Sequence, residues 1–164
     1  PQYPVEHYDV GITLGVSDIR LATQPLLAGI KHGNRLEQIL ARAQWQAEWH
    51  EALLLDLDLN VVEATQSNVF LVQNGVLLTP ELDRCGVAGV MRDYLIAAAQ
   101  SIGVDTQIVR LSLSDVEAAD EVFVSNSLIG LWPVERCLSR HYQSRETSSK
   151  LLKLLQKNEV IPNH

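Results

Sequence analysis

The sequence predicts one domain of mixed structure, in the α/β (α+β) class, and three observations carry that reading. From Asn34 to about Trp49 the apolar residues Leu36, Ile39, Leu40, Ala43 and Ala47 recur at helical spacing between Arg35, Glu37, Gln38, Arg42, Gln46 and Glu48. Past Glu51 the period changes to short apolar and β-branched runs, and Asn74-Gly75 between Phe70-Leu71-Val72 and Val76-Leu77-Leu78 is a hairpin signal, because both turn residues accept positive φ. A second helical stretch, Val90 to Ile102, puts Tyr94, Leu95, Ala98 and Ile102 on one face and stops at Gly103.

The remaining elements follow in order. Pro1 and Pro4 give residues 1–9 the character of an extended linker or arm. A short strand is expected from Ile12 to Val16, followed by turn chemistry at Ser17-Asp18 and Thr23-Gln24-Pro25. Asn34 is the expected N-cap of the first helix, whose apolar stripe should face a core. Strands are predicted for Glu51–Leu57, Val61–Thr65, Asn68–Gln73 and Val76–Thr79, with Pro80 ending the sheet. A strand from Gln107 to Leu111, a short helix from Ser114 to Ala119 and a buried strand from Glu121 to Ser125 come next. Pro133 to Cys137 reads as a short strand or turn, and Glu146 to Gln156 as a terminal helix.

Composition narrows the function classes. At 164 residues and 46% hydrophobic content the chain can bury a core of its own. A net charge of −7 with no basic stripe argues against nucleic-acid binding, which relies on clustered Lys and Arg. Cys85 and Cys137 are far apart without metal-type spacing, which suits thiols of a reducing compartment and makes a cytoplasmic protein the expectation. No apolar run approaches the roughly 20 residues that cross a bilayer, so no membrane partner is expected. His7, His32, His50, His141 and His164 share no zinc-ligand spacing, and no metal is expected. The chain starts Pro1-Gln2-Tyr3-Pro4 without an initiator methionine, which fits a piece of something longer.

Three constellations can carry chemistry. Lys31, in Gly29-Ile30-Lys31-His32-Gly33-Asn34-Arg35-Leu36-Glu37, precedes the predicted helix, where backbone N–H dipoles favour a neutral, nucleophilic amine able to condense with a carbonyl. The alternative is an ordinary surface lysine. Glu63 interrupts the apolar run Val61-Val62-Glu63-Ala64, where a buried carboxylate needs a donor or a cation such as a protonated pyridine nitrogen. An exposed edge-strand glutamate is the other reading. In Gly86-Val87-Ala88-Gly89-Val90-Met91-Arg92 a two-glycine turn opens a helix, and the first free N–H groups there suit an anion. Gly89, Val90 and Met91 are the candidate anion-binding residues, although glycines also simply end loops. Ser125-Asn126-Ser127 can add hydroxyl and amide donors from Asn126 and Ser127, or be only a polar loop. Trp45 and Trp49, four apart on the predicted helix, are candidates for a dimer contact. An aldehyde, a basic ring nitrogen and a phosphate would satisfy all three constellations, and pyridoxal 5′-phosphate has each of them.

The order of Lys31-His32-Gly33-Asn34-Arg35-Leu36-Glu37, Glu63 with Asn68-Val69-Phe70, Gly86 to Arg92, and Asp120-Glu121-Val122-Phe123-Val124-Ser125-Asn126 resembles the fold-type IV pyridoxal phosphate enzymes. That family holds branched-chain and D-amino acid aminotransferases and aminodeoxychorismate lyases, and the lysine and glycine motifs look most like the lyase branch. The resemblance implies a barrel-like mixed sheet flanked by helices, forming the larger, C-terminal domain of a homodimeric enzyme. Residues 1–11 then correspond to the interdomain linker and 12–164 to the cofactor-binding domain, with a smaller N-terminal domain expected to complete the site. By the same resemblance Lys31 holds the cofactor and later moves protons. Glu63 pairs with the pyridine nitrogen, and Val90, Met91 and Ser127 cradle the phosphate. The implied reaction converts 4-amino-4-deoxychorismate to 4-aminobenzoate and pyruvate. Aminotransfer to branched-chain or D-amino acids, or a non-catalytic fragment, are the alternatives.

Overall fold

A computed structural model of the chain describes residues 3–161, so Pro1 and His164 lie outside the described residues. Its strands are β1 (Ile12–Leu21), β2 (Glu51–Asp56), β3 (Val61–Ala64), β4 (Asn68–Gln73), β5 (Val76–Pro80), β6 (Thr106–Val109), β7 (Glu121–Asn126), β8 (Gly130–Cys137) and β9 (Arg140–His141). The helices are α1 (Glu6–Asp9), α2 (Leu36–Ala43), α3 (Val90–Ser101), α4 (Leu113–Ala118) and α5 (Glu146–Lys157). One mixed sheet runs β3-β2-β1-β8-β7-β4-β5-β6, with β9 paired to β8. The sheet curls until its β3 edge meets the segment after β6, where the Val61 N–H donates to Leu111 O at 2.7 Å. The mixed α/β class and the curled sheet flanked by helices match the expectation.

Alternation along the central strands builds two cores. In β4, Val69 and Leu71 join Ile12, Leu14, Leu53 and Trp132 on one face. Phe70 and Val72 point the other way, to Leu95 of α3 and Leu151 and Leu155 of α5. Phe70 stacks on Phe123 with ring centroids 4.9 Å apart. Burying each such side chain contributes roughly 1.5–3 kcal/mol. The β4–β5 hairpin turns at Asn74 (φ 51°) and Gly75 (φ 79°), as the dipeptide predicts.

Several expectations are corrected. Residues 6–9 form a helical turn instead of an extended arm, because Pro4 O and Val5 O accept from His7 and Tyr8 N–H, and Tyr8 is buried near Trp132. β1 continues to Leu21, and Ser17-Asp18 marks a register shift against β2 where Ser17 Oγ accepts the Ile19 N–H. β5 ends at Pro80 as expected, with the proline inside the strand as its last residue, while the sheet itself continues to β6. β8 starts at Gly130, ahead of the predicted strand, and carries Pro133 opposite Phe123.

The largest correction is α2. It covers only Leu36–Ala43, Asn34 lies outside it, and Arg35 stands at the cap without a side-chain capping bond. Its apolar stripe faces outward: Leu36, Ile39 and Leu40 are exposed while Gln38 and Ala41 are buried. Gln38 turns inward because its Nε2 donates to the buried Glu63 carboxylate at 3.3 Å. Trp45 and Trp49 fall beyond the helix, Trp45 under the Arg42 guanidinium and Trp49 against Gly15.

Candidate active site

Two loops are zipped together to form the site. The Gly29 N–H donates to Gly86 O at 3.0 Å, and Gly29 O accepts from Ala88 N–H at 3.0 Å. This short parallel bridge lays the chain leading to Lys31 beside the glycine turn that opens α3. Both glycines of that turn are needed for space. A Cβ on Gly86 would lie 2.7 Å from Val62 Cγ1, and one on Gly89 2.3 Å from Asn68 Oδ1. Asn68 itself is held by its Nδ2 bond to Val87 O at 2.7 Å.

A cleft of about 560 Å³ opens over these loops. Lys31, Glu63, Gly89, Val90, Met91, Asn126 and Ser127 all line it, although they come from segments as much as 96 residues apart in sequence (127 − 31). Arg35, Gln66, Ser67, Asn68, Val87 and Ala88 complete the wall. Lys31 is exposed on the loop, and α2 begins only at Leu36, so the dipole of that helix does not act at the amine as the sequence suggested. The helix start that shares the cleft with Lys31 is instead that of α3.

Glu63 is the buried charge of the cleft. Its Oε2 accepts from Val87 N–H at 2.8 Å, and its Oε1 accepts from Gln38 and lies 3.7 Å from Arg35 Nη1. Burial raises its pKa above the ordinary carboxylate range, while the Val87 bond, Arg35, Gln38 and the Lys31 charge pull it back. A further cation at this carboxylate would favour the ionised form. Beneath it, Glu51 is also fully buried and accepts from Thr65 Oγ1 and, at 3.3 Å, from Gln66 N–H. Burial pushes Glu51 up to about 7 despite those bonds.

The anion end is the start of α3. Gly89 is its N-cap in extended conformation, without a side-chain cap, so the first backbone N–H groups of a 12-residue helix are free to meet a ligand. Arg92, buried in the first turn, donates to Pro80 O at 3.0 Å and fixes that turn on β5. Asn126 does not supply the free amide expected of it. Its Nδ2 is used on Gln66 O (3.1 Å) and Ser67 Oγ (3.3 Å), and its Oδ1 accepts from Leu128 and Ile129 N–H. Ser125 Oγ is buried without a partner, whereas Ser127 is exposed on the cleft wall.

Sequence reasoning missed Arg35, Gln38 and Glu51, which read as polar positions of a helix surface and the start of a strand. A second cavity of about 620 Å³, lined by Leu21, Cys85 and Ile39 among others, shares Arg35, Glu63 and Val87 with the cleft. Burial raises the Cys85 thiol to about 11, which leaves it unreactive near neutrality.

The curled mixed sheet and this cleft define a class that the sequence comparisons identify: the chain belongs to the amino-transferase class IV family, whose profile matches residues 1–137. Among its relatives, the aminodeoxychorismate lyase of Vibrio harveyi is 39% identical over 159 residues, covering 96% of this chain and 59% of that protein. The crystal structure of 4-amino-4-deoxychorismate lyase from Pseudomonas aeruginosa superposes with a TM-score of 0.94 at 46% identity, over 98% of this chain and 60% of the other. A branched-chain-amino-acid aminotransferase of Salmonella typhimurium is 30% identical over 132 residues, 79% of this chain and 43% of that protein. The chain thus spans at most about 60% of the length of these relatives.

Proposed function

We propose that this chain is the pyridoxal 5′-phosphate-binding domain of a lyase that converts 4-amino-4-deoxychorismate to 4-aminobenzoate and pyruvate. The observation that carries the reading is the meeting of an amine (Lys31), a buried carboxylate (Glu63) and an uncapped helix start (Gly89, Val90, Met91) on one cleft. The residues fit the cofactor. A 560 Å³ cleft lies in the usual range for small-molecule sites, and the first N–H groups of α3 on its wall carry no side-chain cap.

When bound, the cofactor supplies an aldehyde carbon conjugated to an electron-poor ring, which draws off negative charge developing on the substrate. Lys31 Nζ is the amine that would hold the cofactor at its aldehyde end, and once free it would hold and move a proton as base and acid. The Glu63 carboxylate, held in place by Val87, Gln38 and Arg35, would receive the ring N–H and keep that nitrogen charged. The N–H groups of Val90 and Met91, with Ser127, bind the phosphate.

Residues 12–164 are on this reading the larger domain, residues 1–11 the linker, and the remaining length of the relatives a smaller N-terminal domain that completes the substrate side. A cytoplasmic homodimer belongs to the same reading. The similarity to branched-chain aminotransferases supports a second reading, aminotransfer to branched-chain or D-amino acids. Conversion of a keto acid with an amino donor, with no 4-aminobenzoate formed, would replace the lyase reading by this one. For the cofactor itself, pyridoxal phosphate added to the pure chain should give a visible absorbance band. Borohydride trapping and mass spectrometry should then place the adduct on Lys31. A chain that behaves like Lys31→Ala, with no band and no adduct, would mark a non-catalytic fragment and overturn the proposal.

A further inference from the structure

We infer that Glu51 is a positioning residue for the phosphate end of the cleft, an inference that rests on the cofactor reading above. Glu51 does not itself line the cleft. It is fully buried on β2, and the two groups that donate to it, Thr65 Oγ1 and Gln66 N–H, belong to the turn between β3 and β4. That turn is closed by Ala64 N–H on Ser67 O at 2.7 Å, and Gln66 and Ser67 then line the cleft. From there the linkage runs onward: Gln66 O and Ser67 Oγ are the acceptors that hold the Asn126 side chain, and Asn126 in turn fixes the Leu128 and Ile129 amides that follow Ser127.

On its other side the turn is tied to the nitrogen-binding end, since Arg35 Nη2 donates to Thr65 O at 3.2 Å while its Nη1 faces Glu63. One carboxyl group under the turn therefore sets the height of Gln66 and Ser67, and through Asn126 the place of Ser127. A single acceptor oxygen would hold one of these donors with less desolvation. A two-oxygen acceptor fits this place because it receives a side-chain donor and a backbone donor from adjacent residues at once.

The test measures the affinity of the whole chain for pyridoxal phosphate and for pyridoxal, which lacks the phosphate, in Glu51→Gln, Thr65→Val and Thr65→Ser. Cooperative melting confirms that each variant is folded. Glu51→Gln leaves one acceptor oxygen for the two donors, and Thr65→Val removes the hydroxyl donor. Each should weaken pyridoxal phosphate about tenfold and leave pyridoxal within a factor of two, while Thr65→Ser keeps wild-type affinity for both. Wild-type affinity for pyridoxal phosphate in folded Glu51→Gln and Thr65→Val, or equal weakening of both ligands, overturns the inference and leaves the cofactor reading standing. A wild-type chain that binds neither ligand overturns the cofactor reading, and this inference with it.

Discussion

Glu63 and Glu121 are both buried at 3% exposure, yet they are held very differently. Glu121, at the start of β7, accepts from the Thr147 and Ser148 N–H groups at 2.8 and 3.0 Å and from the hydroxyls of Ser148 and Ser144. It caps α5 with a full set of donors and does not line the cleft that Glu63 lines. Glu63 has one backbone donor, one weak amide contact and an arginine at 3.7 Å, and its carboxylate lines an open cleft. A buried carboxylate whose oxygens are all satisfied serves the fold, whereas one left short of donors beside a cavity is arranged for something that arrives.

The comparison can be broken by substitution. Glu63→Gln keeps an acceptor for Val87 N–H and removes a buried charge. Stability to denaturant should hold or rise while catalytic rate falls on the order of 10²–10³-fold, the scale of losing one preorganised electrostatic group. A parallel loss of stability and rate would make Glu63 structural, like Glu121.

Glu51 stands between the two, with two donors and a pKa raised from 4.5 to about 7. The folded chain binds the extra proton between those values, so this group's contribution to stability is greatest at the acid end and declines as pH rises from about 4.5 through 7. In Glu51→Gln that decline is absent, and the wild-type-minus-variant stability should therefore fall by about 3 kcal/mol from pH 4.5 to pH 8. A pH-independent difference would show that Glu51 is not held protonated.

Glu121→Ala should act in the opposite sense to Glu63→Gln. Unpairing the α5 amides is expected to lower unfolding free energy by about 2 kcal/mol, with cofactor affinity per folded molecule unchanged. The smallest effect is expected at Gly89→Ala, where the new Cβ meets Asn68 Oδ1. A destabilisation of about 1–2 kcal/mol should accompany weaker phosphate binding, checked by melting and by inorganic phosphate titration.

What the sequence made legible was whatever is settled locally. Asn74-Gly75 had to turn because both residues take positive φ, and Val69–Val72 and Val122–Val124 stood out as apolar strand runs, whose alternate side chains the fold divides between two cores. α2 failed the same logic. Its hydrophobic period was real, but Gln38 faces inward to meet Glu63 from 25 positions away, and no local pattern announces such a partner. Lys31, Glu63 and Gly89–Met91 could be proposed because amine, lone acid and glycine turn each stand out chemically. Arg35, Glu51 and the engagement of the Asn126 amide stayed hidden, since their roles exist only once β2, the β3–β4 turn and β7 have been brought together.

The most direct measurement is the ¹⁵N signal of ring-labelled pyridoxal phosphate bound to the wild-type chain and to Glu63→Gln. A protonated ring nitrogen in the wild type and an unprotonated one in the variant is the predicted result. The same protonation state in both would contradict the assignment of Glu63 to the ring, and with it the orientation of the cofactor between Lys31 and the start of α3.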